Sequence, residues 1–365
     1  MRLGRRSARW YDPYVTEPIP TGPDGVPTLR AARELCRDLF EPRAAIYWPD
    51  LLLSAGVGWT AFVFATHHPW ASFERAGLTL VAALALYRAV LFTHELTHAA
   101  RTGLPGFPAV WDAVAGVPLM LPAFMYQEVH TLHHRRSVYG TAGDPEYLPF
   151  AASPRRAMVR YLLEPALLPV LLLTRYAVLA PLSALLGGRA RKLVVSAASS
   201  LAINYAFRRE SPTGQLRTRW MITETAACLF AWTVLGLVFA GRLSHELLVQ
   251  WYVVSAGVGF VNALRTLGAH RYGNTGGELD VSGQLLDSVN VPGNWLTEFW
   301  APVGLRYHGL HHFLPDLPYH SLGIAHRRIT AALAPDSPYH RTVSPGLFAA
   351  LGKLWASAGS AGRAS

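Results

Sequence analysis

Charge is scarce in this chain of 365 residues: aspartate, glutamate, lysine and arginine together make up 15% of it, against roughly 25% in ordinary soluble domains. Cysteine is scarcer still. Cys36 and Cys228 are the only two, they lie far apart, and they form no CxxC pair. That argues against a disulfide framework and against a thiolate metal site. No apolar run follows the arginines of "MRLGRRSARWYDPYVTEPIPTGPDG", so this stretch does not read as a signal peptide. Its proline and glycine content predicts a mostly irregular arm.

What is abundant is hydrocarbon. The hydrophobic fraction is 51%, and eleven Trp and fifteen Tyr suit the aromatic belts of a membrane–water interface. Four long apolar segments stand out, at about Trp48–Thr66, Ala76–Phe92, Trp220–Ala240 and Leu247–Leu264. Each is near the roughly 20 residues that a membrane helix needs. Short turns, "HHPWASFER" and "GRLSHE", join them into two hairpins. Two further apolar stretches, Phe107–Tyr126 and Tyr161–Leu186, are broken by proline and read as helices in or dipping into the interface. The second is long enough to span, but one extra span would separate the histidine-bearing regions described below.

The net charge of +10 could suggest nucleic acid. Its distribution says otherwise. Of 33 lysines and arginines, 29 lie in the N-terminal arm, the middle section and the C-terminal tail, and one lies in each short turn. By the positive-inside rule, the arm, middle and tail are cytoplasmic. The expected organisation is an arm over residues 1–47, a membrane domain over 48–322 and a tail over 323–365. The fold class is an all-α membrane protein: four transmembrane helices in two hairpins, with a cytoplasmic helical cap. No nucleic-acid partner is expected.

The histidines sit on that map in a pattern. "HELTH" places His94 and His98 just after the second segment; "HTLHH" supplies His130, His133 and His134; "HGLHH" supplies His308, His311 and His312; His270 follows the fourth segment. Residues i, i+3 and i+4 share a helix face, so each box is expected to point its imidazoles one way. One zinc needs three or four ligands, whereas nine imidazoles suit two metals with positions left open. His67, His68, His245, His320, His326 and His340 stand alone and read as ordinary surface or core residues.

"HELTH" also fits the H-E-x-x-H of zinc peptidases, with Glu95 as base. That reading leaves six box histidines unexplained. Its third ligand would have to be Asp280 in "ELDVSG", outside any span. A metal transporter would place ligands at mid-membrane, not beyond the span ends.

The three boxes, in this order and topology, resemble the membrane fatty acid desaturase superfamily, with its hydroxylases and ketolases, over roughly Trp48 to Leu322. "HGLHHFLPDLPYHSLG" resembles the third box of bacterial acyl-lipid desaturases, and "GTAGDPEYLPF" is also similar to the superfamily's pattern. The resemblance implies a non-haem di-iron centre on the nine histidines, with His270 as the extra ligand after the last span. It implies O2 as co-substrate and a lipid-linked or thioester acyl chain as substrate. No HPGG haem motif is fused, so a separate ferredoxin or cytochrome b5-like donor is implied. Where some relatives carry an Asn four residues before the extra histidine, this chain has Thr266.

An unactivated methylene C–H is beyond side-chain acids and bases, so the metals carry the chemistry and the protein positions the chain. The expected activity is O2-dependent insertion of a double bond, with lipid or carotenoid hydroxylation or ketolation as the alternative. Tunnel walls are expected from the second and fourth segments. Glu95, Glu128, Asp144 and Glu146, beside the boxes, are candidates to orient imidazole N–H groups. Arg88, inside a segment, either snorkels or lines the site.

Overall fold

The computed structural model describes residues 19–99 and 104–361. Helix α1 (Leu29–Leu35) starts at Thr28, whose hydroxyl accepts the Ala31 N–H. α2 (Ala44–Ala65) and α3 (Phe73–Ala99) form the first hairpin. They close tightly at Gly58, where a Cβ would come within 2.6 Å of Leu86 Cγ. α3 runs without a break through "HELTH", so His94 and His98 ride its last turns.

α4 (Phe107–Trp111) passes into a π-helical turn, Asp112–Gly116, whose Asp112 carboxylate accepts the Ala123 N–H ahead of α5 (Phe124–His133). α6 (Arg155–Leu163) leads to α7 (Leu168–Thr174), a π turn at Arg175–Leu179, and α8 (Ala180–Leu186). α9 (Gly188–Ala198) follows directly. α10 (Gly214–Phe239) and α11 (Glu246–Ala269) form the second hairpin. Five helices complete the cap: α12 (Val281–Asp287), α13 (Thr297–Trp300), α14 (His308–Phe313), α15 (Tyr319–Ala332) and α16 (Leu347–Ala361).

Several of these helices are long and apolar enough to cross a bilayer, and the chain is a multi-pass membrane protein. Among the described residues there are five such helices rather than four, because Leu168–Leu186 qualifies as well. Its prolines sit in the first turns of α7 and α8, where a missing N–H is tolerated, so the helix bends without ending. α10 turns most of its apolar surface outward: Ile222, Leu229 and Trp232 are exposed for lipid to cover.

Three arginines inside the spans are paired across helices. Arg75 of α3 meets Glu246 of α11 at 3.2 Å, and Arg175 meets Glu224 of α10. Arg88 of α3 meets Asp50 of α2 at 2.6 Å and Glu298 at 3.2 Å, and Tyr319 donates to Asp50 at 2.7 Å. Arg88 therefore ties the hairpin to the cap.

Most of the arm expected to be irregular, residues 1–18 of it, lies outside the described residues. Val26, Ala32, Cys36 and Leu39 bury against Leu322, Ala325 and Ile329 of α15, and α16 packs along α11. In α15 the spacing explains this, since Leu322, Ala325 and Ile329 fall on one face. The boundaries drawn at residues 47 and 322 fall inside α2 and α15.

Candidate metal centre

Eight of the nine histidines converge in two groups. His94, His98, His130 and His311 form one; His133, His270, His308 and His312 form the other. Within each group one nitrogen per ring lies within 4.8 Å of all the others. Every ring is buried except that of His98, which is half-buried. His134 joins neither group by this measure, but its Nε2 lies 3.0 Å from the Nε2 of both His130 and His311. His67, His68, His245, His320, His326 and His340 belong to neither group.

The boxes are not three rings pointing together. In "HGLHH", His308 and His312 face the second group and His311 the first; in "HTLHH", His130 and His134 lie by the first group and His133 in the second. Helix geometry explains the split. Residues i and i+4 are about 40° apart around the axis, whereas i+3 and i+4 differ by about 100°. A box placed between two sites therefore serves both.

Burial, then the neighbouring rings, holds His130, His134, His311 and His312 well below the usual imidazole range; for His270 and His308 the Arg265 charge adds to this. His133 is the exception. Burial pulls it down, but Asp144, through charge and hydrogen bond, lifts it above its ordinary value.

Fixed partners set the tautomers. His133 Nδ1 donates to Asp144 at 2.9 Å, and His130 Nδ1 donates to Glu146 at 2.6 Å. His270 Nδ1 faces two hydroxyls, Tyr139 at 2.9 Å and Ser288 at 3.1 Å. Both hydroxyl hydrogens are committed elsewhere, Tyr139 to Asp287 and Ser288 to the Gln284 carbonyl. His270 must therefore donate from Nδ1. In all three rings Nε2 is left as a bare lone pair aimed into a group.

In the second group the ring nitrogens crowd one another. His270 Nε2 lies 2.9 Å from His308 Nε2, which lies 3.2 Å from His312 Nε2. Neither ring nitrogen of His94 makes a hydrogen bond, although the residue is 3% exposed. Inward-facing lone pairs without donors fit a cation in each group. The donor set contains no carboxylate and no thiolate, which suits imidazole-seeking transition metals and not calcium or magnesium.

Of the four acids singled out from sequence, Asp144 and Glu146 do orient rings. Asp144 is wholly buried and also accepts the Gly140 and Glu146 N–H groups. Burial pushes Glu146 up to about 7. Glu128 instead pairs with Arg209. Glu95 accepts from Tyr47 and from the Tyr319 N–H, and stays 3.8 Å from His94 Nδ1 without a hydrogen bond. Asp280 caps α12 through the Gly283 N–H, away from both groups. The peptidase arrangement is thus not formed.

Sequence reading missed Asp287, Tyr139, Tyr147 and Ser288. Asp287 accepts from both tyrosines at 2.9 Å and so steadies the hydroxyl that fixes His270. No spacing rule marks these residues; only the fold brings Tyr139 and Asp287 together.

The fatty acid desaturase family model matches residues 75–344, a span that contains all three boxes. The chain belongs to the fatty acid desaturase family. It is 42% identical over 327 residues to a ceramide hydroxylase of Caulobacter vibrioides (strain NA1000 / CB15N), covering 89% of this chain and 92% of the relative. Fatty acid desaturase family membership, with two buried histidine groups able to hold two metals, makes this chain a membrane oxidoreductase of the histidine-box desaturase and hydroxylase superfamily.

Outside the metal centre, an apolar cavity of about 490 Å³ lies among α2, α7, α10 and α11, with Trp59, Phe62, Leu173, Val234, Leu247 and Trp251 in its wall. Trp59 and Trp251 donate their indole N–H groups to the Val114 and Pro118 carbonyls, so both rings present only hydrocarbon.

Proposed function

We propose that this chain hydroxylates a ceramide-type lipid, using O2 and two irons. The observation that carries the reading is the 42% identity to a ceramide hydroxylase along most of both chains. Double-bond insertion, placed first on the histidine boxes alone, gives way to the alternative of hydroxylation.

All nine histidines are assigned as ligands: His94, His98, His130 and His311 for one iron, His133, His270, His308 and His312 for the other, and His134 beside the first. Bound there, the irons supply the oxidising power that breaks a methylene C–H bond. The balance takes one O2, two electrons and two protons; one oxygen atom enters the C–H bond and the other leaves as water. Asp144, Glu146 and the Tyr139–Ser288 pair hold the Nδ1 protons outward, so each Nε2 keeps its lone pair for metal. The apolar cavity, within the roughly 300–1,000 Å³ of small-molecule sites, suits the hydrocarbon of a long chain.

The electrons come from a separate ferredoxin or cytochrome b5-like protein, which a basic face would attract. We assign the histidine end, with both termini, to the cytoplasm. Leu168–Leu186 is then a re-entrant or tilted segment and not a crossing. In support, the chain beyond it returns to the histidine end: Leu201 N–H donates to Met125, Ile203 N–H to Pro145, and Arg209 pairs with Glu128. The intervening α9 has 11 residues, about 16 Å, too short to cross back. The test is lipid profiling of a ceramide-making host that expresses the chain. A new hydroxylated ceramide, lost in His311→Ala, is expected; an unchanged ceramide profile would overturn the reading.

A further inference from the structure

Arg265 lies on the last turns of α11, five residues before His270, and is 8% exposed. It differs from the other arginines among the spans. Arg75, Arg88 and Arg175 each meet a carboxylate on another helix. Arg265 forms no ion pair among the described residues. Its two hydrogen bonds, to Asn262 Oδ1 at 3.1 Å and Thr266 Oγ1 at 3.0 Å, are to its own helix. On α3 it reaches only the Tyr87 hydroxyl, whose hydrogen goes to the Trp300 carbonyl at 2.9 Å. Its Nε has no partner at all.

A buried guanidinium with no carboxylate in contact is costly, and in a membrane protein it marks a site by default. Its neighbours are polar. The Arg265 charge bears on Tyr126, Tyr161 and Glu146, and on His270 and His308 of the second group. Tyr126 Oη in turn lies 3.0 Å from His130 Nδ1. On α3, which packs against α11, Thr93 Oγ1 is also buried without a partner, one residue before His94. Beside the metal groups the wall thus holds two donors without an acceptor, Arg265 Nε and Thr93 Oγ1.

Mid-chain methylenes offer no acceptor. An enzyme that passes bare hydrocarbon across its metals would pay for Arg265 with nothing in return. We infer that Arg265 donates to an oxygen in the polar end of the lipid, the amide carbonyl or a backbone hydroxyl, and so places carbons near the head at the metals. This rests on the ceramide hydroxylase reading and deepens it: the new hydroxyl falls within a few carbons of the amide, and Arg265 is a specificity residue.

Two measurements test this. In the first, tandem mass spectrometry locates the oxygen in the wild-type product. A position near the amide supports the inference; a position deep in either chain overturns it while leaving hydroxylation intact. The absence of any oxygenated lipid sinks the hydroxylase reading instead. In the second, binding of a fluorescent ceramide and of its N-alkyl analogue, which lacks the amide carbonyl, is compared in the purified metal-loaded protein without reductant, so that no turnover occurs. Wild type should prefer the amide about tenfold, as for a hydrogen bond to a charged donor. Arg265→Gln should lose that preference, and Arg265→Lys should retain part of it. Equal preference in wild type and both variants would overturn the role. If Arg265→Gln does not fold, the lysine variant and the wild-type discrimination still decide.

Discussion

Asp144, wholly buried, takes the Nδ1–H of His133 at 2.9 Å on the same carboxylate that accepts the N–H groups of Gly140 and Glu146. The loop after the second box is wrapped around one acid, and that acid sets one ring. In Asp144→Asn the side-chain NH2 must face one of those three donors. Metal affinity should fall about 10–100-fold, read as metal retained per chain after dialysis against a graded chelator. Wild-type retention would remove Asp144 from the ring-setting role.

The two groups should fail separately. His311 belongs to one and His312 to the other. Each alanine variant is expected to keep about one metal per chain where wild type holds two, because each group has its own set of imidazoles. Atomic emission on purified protein measures this. Complete loss from a single substitution would mean that the groups form one cooperative site.

Glu95 and His94 are neighbours with different duties. Glu95 is held by Tyr47 and by the Tyr319 N–H, so it joins α2, α3 and α15. Glu95→Gln preserves much of that geometry. It should lower thermal stability by roughly 1–2 kcal/mol and cut activity severalfold at most, with metal retained. His94→Ala should abolish activity. Equal loss in both would restore Glu95 to the chemistry.

How much of this was legible in the sequence depends on the range over which each feature is encoded. The hairpins were legible because a span is a run of apolar residues, and eight histidines were legible because box spacing is local; His270 was legible only from its place after the fourth segment and the resemblance. The division of the second and third boxes between two groups also follows from helix angles, but only once those boxes are known to lie between the sites. Asp287 and Tyr139 are 148 positions apart and carry no motif, so their link to His270 is purely tertiary. Arg88 looked like a lone charge in a span until the fold supplied Asp50 and Glu298.

His326, a lone histidine by sequence, is 6% exposed and bonded to Tyr339 at 2.9 Å. Burial, with Arg327 and His340 nearby, lowers its pKa to about 4. The folded state therefore binds fewer protons than the unfolded chain between that value and about 6.5. Its contribution is complete above about pH 6.5 and is lost as pH falls toward 4, about 3 kcal/mol in all. Against His326→Gln, wild type should lose more thermal stability between pH 7 and pH 4. Parallel melting curves across that range would show that the ring does not stay neutral.

The central claim is that oxygen enters the lipid. A ceramide-making host that expresses the chain, grown under 18O2, tests it directly by mass spectrometry of its ceramides. The account predicts a ceramide carrying one 18O atom, absent from cells expressing the His311→Ala variant. A ceramide that has lost two hydrogens and gained no 18O would contradict it and return the chain to double-bond insertion.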